Sequence, residues 1–164
     1  MNIFAVDECP TAAAQALPDK LVVKMPLETT QILSTASELL GVPGPYRKTH
    51  QHHPCVKWVM RDRANWLWTL DHGRALCDEY RYRYGKTHGC EEILEEISEE
   101  CARPDKFSTN HEPFFLAMPD ELRHDPNLSC NPVEAYREYL RTRKAYYARW
   151  TRRSAPTWWI KEAQ

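Results

Sequence analysis

Three histidines occupy the segment 50–53, directly before a proline and Cys55. Imidazole and thiolate groups bind zinc, but the spacing matches no standard zinc motif, so we expect no bound metal here. Two interpretations stay open. The segment is either a surface loop in which one histidine caps the next helix, or an anion site in which His50 or His53 donates hydrogen bonds beside Arg47.

Aromatic and basic residues are interleaved between positions 78 and 88. At helical spacing Glu79 and Arg83 are neighbours, which would give an exposed ion pair beside core tyrosines. The alternative is functional. Tyr80 would stack on a base while Arg83 or Lys86 meets a phosphate, as in proteins that hold unpaired nucleotides.

Arginines and tryptophans are combined again in the segment 149–159. This segment either docks on the rest of the protein and closes its core, or contacts a ligand, for which Trp158 is the candidate.

Near the other end of the chain, Glu28 follows a proline in an apolar, Thr-rich stretch. Taken alone, such a glutamate is typical of a solvated first turn, where the helix dipole favours a negative charge.

The chain has 164 residues and a formal net charge of -1. That charge argues against a protein that grips long duplex DNA over its whole surface, because neutralising phosphates needs a surplus of Lys and Arg. Basic residues nevertheless outnumber acidic ones in segments 41–90 and 137–164, which would form an anion site if they meet. Scattered cysteines without a CxxC pair indicate a reducing cytoplasm, and we expect no membrane span.

Apolar residues recur at helical spacing along most of the chain. This periodicity predicts an all-α protein, a compact helical bundle that forms a single domain over residues 1–164 with long irregular connections. Residues 3–6 are predicted to be a short strand or a buried arm, and residues 11–16 a weak helix.

The longest early helix is expected to start after Asp19 as its cap and to run to residue 40, where Gly41 stops it. Pro26 lies inside this stretch. Because proline removes a backbone donor and clashes with the preceding turn, it should kink the helix or split it near Lys24.

Pro54 suits the first position of a central helical region that runs to Tyr84, with a break near Asp62 and Gly85 as the stop. A short acidic helix is expected over residues 91–101. The region as a whole should supply much of the core.

Residues 104–129 are predicted to be a long irregular connection. After it, Asn131 can cap a helix, Pro132 suits the first turn, and Glu134 can return the hydrogen bond. We therefore expect a helix from 132 to about 150.

Three groups of residues together resemble a family of proteins common in tailed phages, and the resemblance spans nearly the whole chain. They are the start Met1-Asn2-Ile3-Phe4, the pair His50 and His53-Pro54, and Asp78-Glu79-Tyr80 with Arg83-Tyr84-Gly85-Lys86. A phage protein of this kind would work in the cytoplasm of the infected bacterial host.

More distantly, the layout resembles the phage pyrimidine-dimer DNA glycosylases of the endonuclease V type, which are small all-helical enzymes. The anchors are the interval from Asp19 to Glu28, the helix end Arg83-Tyr84-Gly85 and the tail Pro156-Thr157-Trp158. The resemblance implies that Glu28 is the catalytic carboxylate. It also implies an N-terminal α-amine as nucleophile, which would belong to Met1 because a methionine before a residue as large as asparagine is not removed.

The sequence departs from those enzymes around the implied carboxylate. Positions where they have arginines are Leu27 and Gln31 here, and their helix histidine is Leu21. With the net charge of -1, these departures favour a small nucleotide over duplex DNA as the ligand.

Three functions follow, in order of preference. The first is a phage-type binding protein that sequesters a phosphate-bearing nucleotide, such as an immune signal of the bacterial host; its candidate residues are Arg47, His50, His53, Tyr80, Arg83, Lys86 and Trp158. The alternative is a DNA N-glycosylase and AP lyase acting on damaged or modified pyrimidines through Met1 and Glu28. The third is a protein-interaction module whose contact face is the acidic helix.

The expected partner is accordingly a nucleotide-type small molecule or an unpaired DNA base. No association with a membrane is expected. No cofactor is expected, and a homo-oligomer is compatible with the sequence.

Overall fold

The computed structural model describes residues 1–97 and 113–159. In these residues the chain forms seven α-helices and one short 3-10 helix, with no strand, so the all-α prediction is confirmed. The helices are α1 (Pro10–Ala16), α2 (Asp19–Leu39), α3 (Pro54–Arg61), α4 (Arg63–Tyr84), α5 (Glu91–Glu96), α6 (Asp120–Arg123) and α7 (Pro132–Arg143), followed by the 3-10 turn Ala145–Tyr147.

Helices α2 and α4 form the centre of the structure, with α1 against α4 and α3 against both. The residues between them are large and fully buried: Leu17, Met25, Ile32, Leu33, Trp66, Leu70 and Leu76. Burying each such side chain contributes about 1.5–3 kcal/mol to the free energy of unfolding. None of the described helices is both long enough and apolar enough to cross a membrane.

The predicted split of the early helix is wrong, because α2 continues through the buried Pro26. Proline cannot donate to the carbonyl one turn earlier, yet the buried side chains on both sides of it keep the helix continuous. The helix also starts one residue earlier than expected. Pro18 occupies the cap position and Asp19 is the first helical residue, because the carboxylate of Asp19 is engaged by Arg83 instead of by the helix end.

Several helix boundaries agree with the sequence. Pro54 is the first residue of α3. Asp62 separates α3 from α4 and caps α4 by accepting from the backbone N–H of Ala64 at 2.6 Å. Gly85 ends α4 with a φ of 65°, a left-handed conformation that glycine adopts without strain.

The second half of the chain differs more from the prediction. Helix α7 is capped by Asn131 as expected, but it ends at Arg143 and gives way to the 3-10 turn, well before residue 150. The predicted irregular connection contains α6, and residues 104–112 lie outside the described residues. The acidic helix α5 ends at Glu96, and residues 98–101 of its predicted range also lie outside.

Residues 3–6 form a buried arm, which decides between the two interpretations of this segment. Ile3 and Val6 are fully buried, and Phe4 is 4% exposed. The ring of Phe4 stacks on Tyr139 of α7 with centroids 5.9 Å apart, and the Arg137 side chain donates to the Val6 carbonyl at 2.9 Å. The chain's first residues are therefore held against α7.

The loop between α2 and α3 lies close against α2. A Cβ on Gly44 would be 2.4 Å from the Ser34 carbonyl oxygen, so only glycine permits this approach. Further along, the Thr35 hydroxyl accepts from the Thr49 N–H at 3.1 Å and donates to the Thr49 carbonyl at 3.0 Å. These contacts hold the start of the histidine segment against the C-terminal part of α2.

A buried ion cluster joins the end of α4 to the corner between α1 and α2. The Arg83 side chain is fully buried and donates to Glu79 at 2.6 Å and to Asp19 at 2.8 Å. Its other N–H groups donate to the carbonyls of Leu17 and Gln15, both at 2.9 Å. The helix end and the corner are thereby fixed to each other.

The segment after the 3-10 turn closes the same cluster. Arg153 donates to both carboxylate oxygens of Glu79, at 2.5 and 2.7 Å, and the Thr151 backbone donates to Asp19 at 3.0 Å. The Trp150 indole donates to a carbonyl at the end of α1 at 3.1 Å. Of the two interpretations of the segment 149–159, docking on the rest of the protein is therefore the one observed for this part.

Replacing Arg83 by methionine should lower the free energy of unfolding by about 3–5 kcal/mol, since it leaves the Glu79 and Asp19 carboxylates buried without their shared cation. Arg81→Met is the matched control on the same helix. Arg81 is 47% exposed and pairs with Asp78 and Glu91, so its loss should cost about 1 kcal/mol or less. Urea unfolding of the two variants measures both values, and equal losses would contradict the structural role of Arg83.

Candidate active site

Glu28 lies in the middle of α2 with only 13% of its side chain exposed. One carboxylate oxygen accepts from the backbone N–H of Asn2 at 3.1 Å. The other lies 2.7 Å from the Lys24 ammonium, one helical turn earlier. The carboxylate is therefore held between the chain's first peptide group and a cation on its own helix.

Asn2 fixes the arm at this carboxylate. Its side-chain amide donates to the Ala117 carbonyl at 2.7 Å, and its oxygen accepts from the N–H groups of Ile3 at 2.7 Å and Phe4 at 3.0 Å. Phe4 has a φ of 44°, which costs a non-glycine residue on the order of 1–3 kcal/mol. The surrounding packing maintains this conformation, which turns the first residues toward Glu28.

His53 lies close to both groups that the resemblance implied. It caps α3, and its Nδ1 accepts from the Cys55 N–H at 3.2 Å. Burial lowers the pKa of His53, the positive α-amine of Met1 and then His50 lower it further, and the negative Glu28 raises it. The hydrogen bond from the Asn2 N–H brings the residue next to the α-amine to Glu28, and the charges of both groups act on the His53 imidazole.

Two lysines and two tyrosines border this neighbourhood on the side of α7. Burial raises the pKa of Tyr147 to about 12, and the charge of Glu28 adds to the increase. The Lys20 ammonium lies 5.0 Å from the centre of the Tyr147 ring, and the Lys144 ammonium 5.2 Å from that of Tyr139. Lys24 is therefore the cation in contact with the carboxylate, and Lys20 and Lys144 lie against the neighbouring tyrosines.

The residues predicted to bind a nucleotide contact different parts of the protein. His50 accepts at its carbonyl from the His53 N–H, at 2.8 Å. The Tyr80 ring contacts Tyr84 and His88, both with centroids 4.9 Å apart. Arg47 and Lys86 are exposed. These contacts do not assemble the predicted residues around one ligand.

Two of the predicted ligand residues are occupied by the protein itself. Arg83 directs its guanidinium into the buried ion cluster. The Trp158 ring lies 5.4 Å from the Arg137 guanidinium, and its carbonyl accepts from Arg141 at 3.1 Å. Among residues 1–97 and 113–159, no group of three or more His, Cys, Asp or Glu side chains is arranged to hold a metal ion.

Sequence reasoning missed Asn2, Lys24 and Tyr147 as neighbours of Glu28. The interval of four residues from Lys24 to Glu28 is a readable signal, because such pairs meet on a helix surface. No local signal points to Asn2, whose contact with Glu28 depends on how the arm folds back over α2.

The fold and the site together define a class of protein: a small helical protein in which the N-terminal arm meets a largely buried glutamate that is paired with a lysine. A family model described as pyrimidine dimer DNA glycosylase matches residues 1–92. That is more than half of the chain, and the protein belongs to the pyrimidine dimer DNA glycosylase family. The match includes Glu28 and His53 and reaches the start of α5. No curated protein and no solved structure matches the sequence.

The mutual influence of Glu28 and His53 can be measured by NMR titration. In the native protein His53 should titrate below 6.5, the ordinary value. Glu28→Gln removes a negative charge that favours the protonated imidazole, so the His53 pKa should fall further. Glu38→Gln, at the far end of α2, is the control and should leave it unchanged. A His53 pKa that is constant or higher in Glu28→Gln would show that the two groups are not neighbours.

Proposed function

We propose that this protein is a DNA N-glycosylase and AP lyase that acts on damaged or modified pyrimidines. The observation that carries the proposal is the hydrogen bond from the Asn2 N–H to Glu28, which brings the N-terminal arm to a largely buried carboxylate in the middle of α2. Membership of the pyrimidine dimer DNA glycosylase family supports the same activity. The candidate nucleophile is the Met1 α-amine, and Glu28 is the candidate acid or base.

The chemistry needs an amine and a carboxylate and no cofactor. The amine nitrogen attacks C1′ of the nucleotide, the bond from C1′ to the base breaks, and the base leaves with the electron pair and gains a proton. Loss of a proton from nitrogen and opening of the sugar give a Schiff base. Removal of a C2′ proton then expels the 3′ phosphate, and water hydrolyses the Schiff base to release the amine.

Glu28 is suited to the proton transfers in this sequence. Its carboxylate is mostly buried, accepts from the backbone next to the amine, and lies near His53. A carboxylate so placed can stabilise the positive charge that develops on the sugar and can accept or return a proton there. Lys24 keeps one of its oxygens in a fixed direction.

Local cations can hold the DNA backbone without a basic chain. Lys20 and Lys24 are exposed on α2, and Lys144 is half-buried beyond the arm. Each can contact a phosphate, and a few such contacts suffice for a site that binds one nucleotide and its neighbours. The net charge of -1, which favoured a small nucleotide at first, is therefore compatible with DNA as substrate.

Nucleotide sequestration is not the function that the structure favours. Its candidate residues are divided among separate contacts, and Arg83, the central cation of that hypothesis, is buried in the ion cluster. Family membership instead favours the alternative that the resemblance implied.

Borohydride trapping on DNA with one abasic site tests the proposed chemistry, because reduction converts the Schiff base into a stable bond. We expect a covalent protein–DNA adduct, with peptide mass spectrometry locating it on Met1. Glu28→Gln keeps the size of the side chain and removes its charge, and it should slow cleavage of the glycosidic bond in a duplex with one pyrimidine dimer by about 100-fold or more. Glu38→Gln should have wild-type activity.

Three results would contradict this proposal. Absence of any adduct would remove the lyase chemistry, and an adduct on Lys24 would move the nucleophile from the α-amine to the helix. Unchanged cleavage of the glycosidic bond in Glu28→Gln would remove Glu28 from the reaction.

A further inference from the structure

The histidine segment 50–53 has a fixed conformation that the proposed chemistry does not use. His50 has a φ of 49°, a left-handed conformation that is uncommon outside glycine. The His50 carbonyl accepts from the His53 N–H at 2.8 Å, and the Thr49 hydroxyl lies 2.6 Å from Nδ1 of His50. Such conformations persist where the surroundings determine them, and they are concentrated at functional sites. His53 is thereby held between this turn and the start of α3.

The hydrogen bond that caps α3 decides which nitrogen of His53 carries the proton. Nδ1 accepts from the Cys55 N–H at 3.2 Å, so in the neutral ring the proton is on Nε2. Protonation of Nδ1 would set two donors against each other. Burial lowers the pKa of His53, and the positive α-amine of Met1 lowers it further. The imidazole is therefore a neutral hydrogen-bond donor at physiological pH.

This donor is directed away from the helix that the ring caps. The two nitrogens lie on different sides of an imidazole, so Nε2 is turned away from the first peptide groups of α3. His53 is half-buried, and Nε2 has no hydrogen-bond partner among residues 1–97 and 113–159. The charges of the Met1 α-amine and of Glu28 both act on the same ring. A donor near the proposed nucleophile and carboxylate is thus available to a substrate.

The lyase step of the proposed chemistry creates negative charge that needs such a donor. A proton passes from C2′ to the Glu28 carboxylate, and the electron pair of that C–H bond forms the double bond between C2′ and C3′. The bond from C3′ to oxygen breaks, and the departing phosphate takes its electron pair and gains one negative charge. A group that donates a hydrogen bond to this phosphate as the charge develops lowers the barrier.

We propose that His53 is a further catalytic residue, whose Nε2–H donates to the 3′ phosphate as it leaves in the lyase step. The inference rests on the proposed function, because it concerns the second half of that reaction. A hydrogen bond to an oxygen that gains charge is stronger in the transition state than before it, and only such a difference accelerates a step. Arg47 and Lys48, exposed on the same loop, add a positive potential that favours an anion. The cap and the anion donor are then one residue, with one role for each nitrogen.

The test uses a substitution that separates the roles of the two nitrogens. His53→Asn keeps the cap, because asparagine is among the best residues at a helix start, and it removes the Nε2–H. On a duplex with one abasic site, the borohydride-trapped adduct should form at the wild-type rate, while strand cleavage slows by about tenfold or more. His52→Asn, one residue earlier and exposed, is the matched control and should cleave normally. Urea unfolding should give both variants the wild-type stability.

A substrate with an easier leaving group tests the assigned role itself. Sulfur in place of the oxygen that joins C3′ to phosphorus needs less help from a donor when it leaves. His53→Asn should therefore cut this duplex at close to the wild-type rate. A structural defect would slow cleavage of both substrates alike, and that result overturns the proposal.

Two further outcomes on the ordinary abasic duplex also overturn it. Strand cleavage by His53→Asn at the wild-type rate would leave His53 as a helix cap alone. Equal losses of adduct formation and strand cleavage would assign His53 to an earlier step. Failure of the proposed function is recognised separately, because the wild-type protein would then form no adduct at all.

Discussion

The orientation of the helix that carries Glu28 depends on the cluster of Arg83, Asp19, Glu79 and Arg153. Two positive and two negative side chains meet there, so the cluster is neutral when complete and costly when any member is missing. Such clusters favour one arrangement more than they add stability. This one fixes the last turn of α4, the first turn of α2 and the segment that follows the 3-10 turn in a single relative position.

The site follows from that arrangement. Once the start of α2 is fixed, the helix continues through Pro26 and presents Glu28 at the edge of its exposed stripe. The N-terminal arm reaches the carboxylate because α7 holds it, through the stacking of Phe4 on Tyr139 and the hydrogen bond of Arg137 to the arm. The family match ends at residue 92, so α7 lies beyond it even though it supports the site.

Elements with strong local signals could be predicted from the sequence. Pro54 and Gly85 mark helix ends by backbone constraints that act on single residues, and periodicity identified the long helices. The predicted helix boundaries were wrong where a residue distant in sequence determines the local structure. Asp19 looked like a helix cap but is bound by Arg83, 64 residues later, and the helix from Pro132 ends early where the chain turns back toward α1.

The candidate site, too, could be predicted only where the signal is local in sequence. Glu28 was identified by resemblance, and its pairing with Lys24 could be read from their spacing, but the approach of Asn2 could not, because it joins residues 26 positions apart through a folded arm. Net charge averages over the chain, so it carries no information about which cations are free to meet a ligand. Arg83 is an example, because its guanidinium is fully buried and donates to Glu79 and Asp19.

The most direct measurement is strand cleavage of a duplex that contains one pyrimidine dimer, compared with the undamaged duplex of the same sequence. We expect the purified protein to break a glycosidic bond of the dimer and to cut the strand there without added metal or cofactor, and to leave the undamaged duplex intact. Failure to cut at the dimer, together with failure to cut a duplex carrying an abasic site, would contradict it.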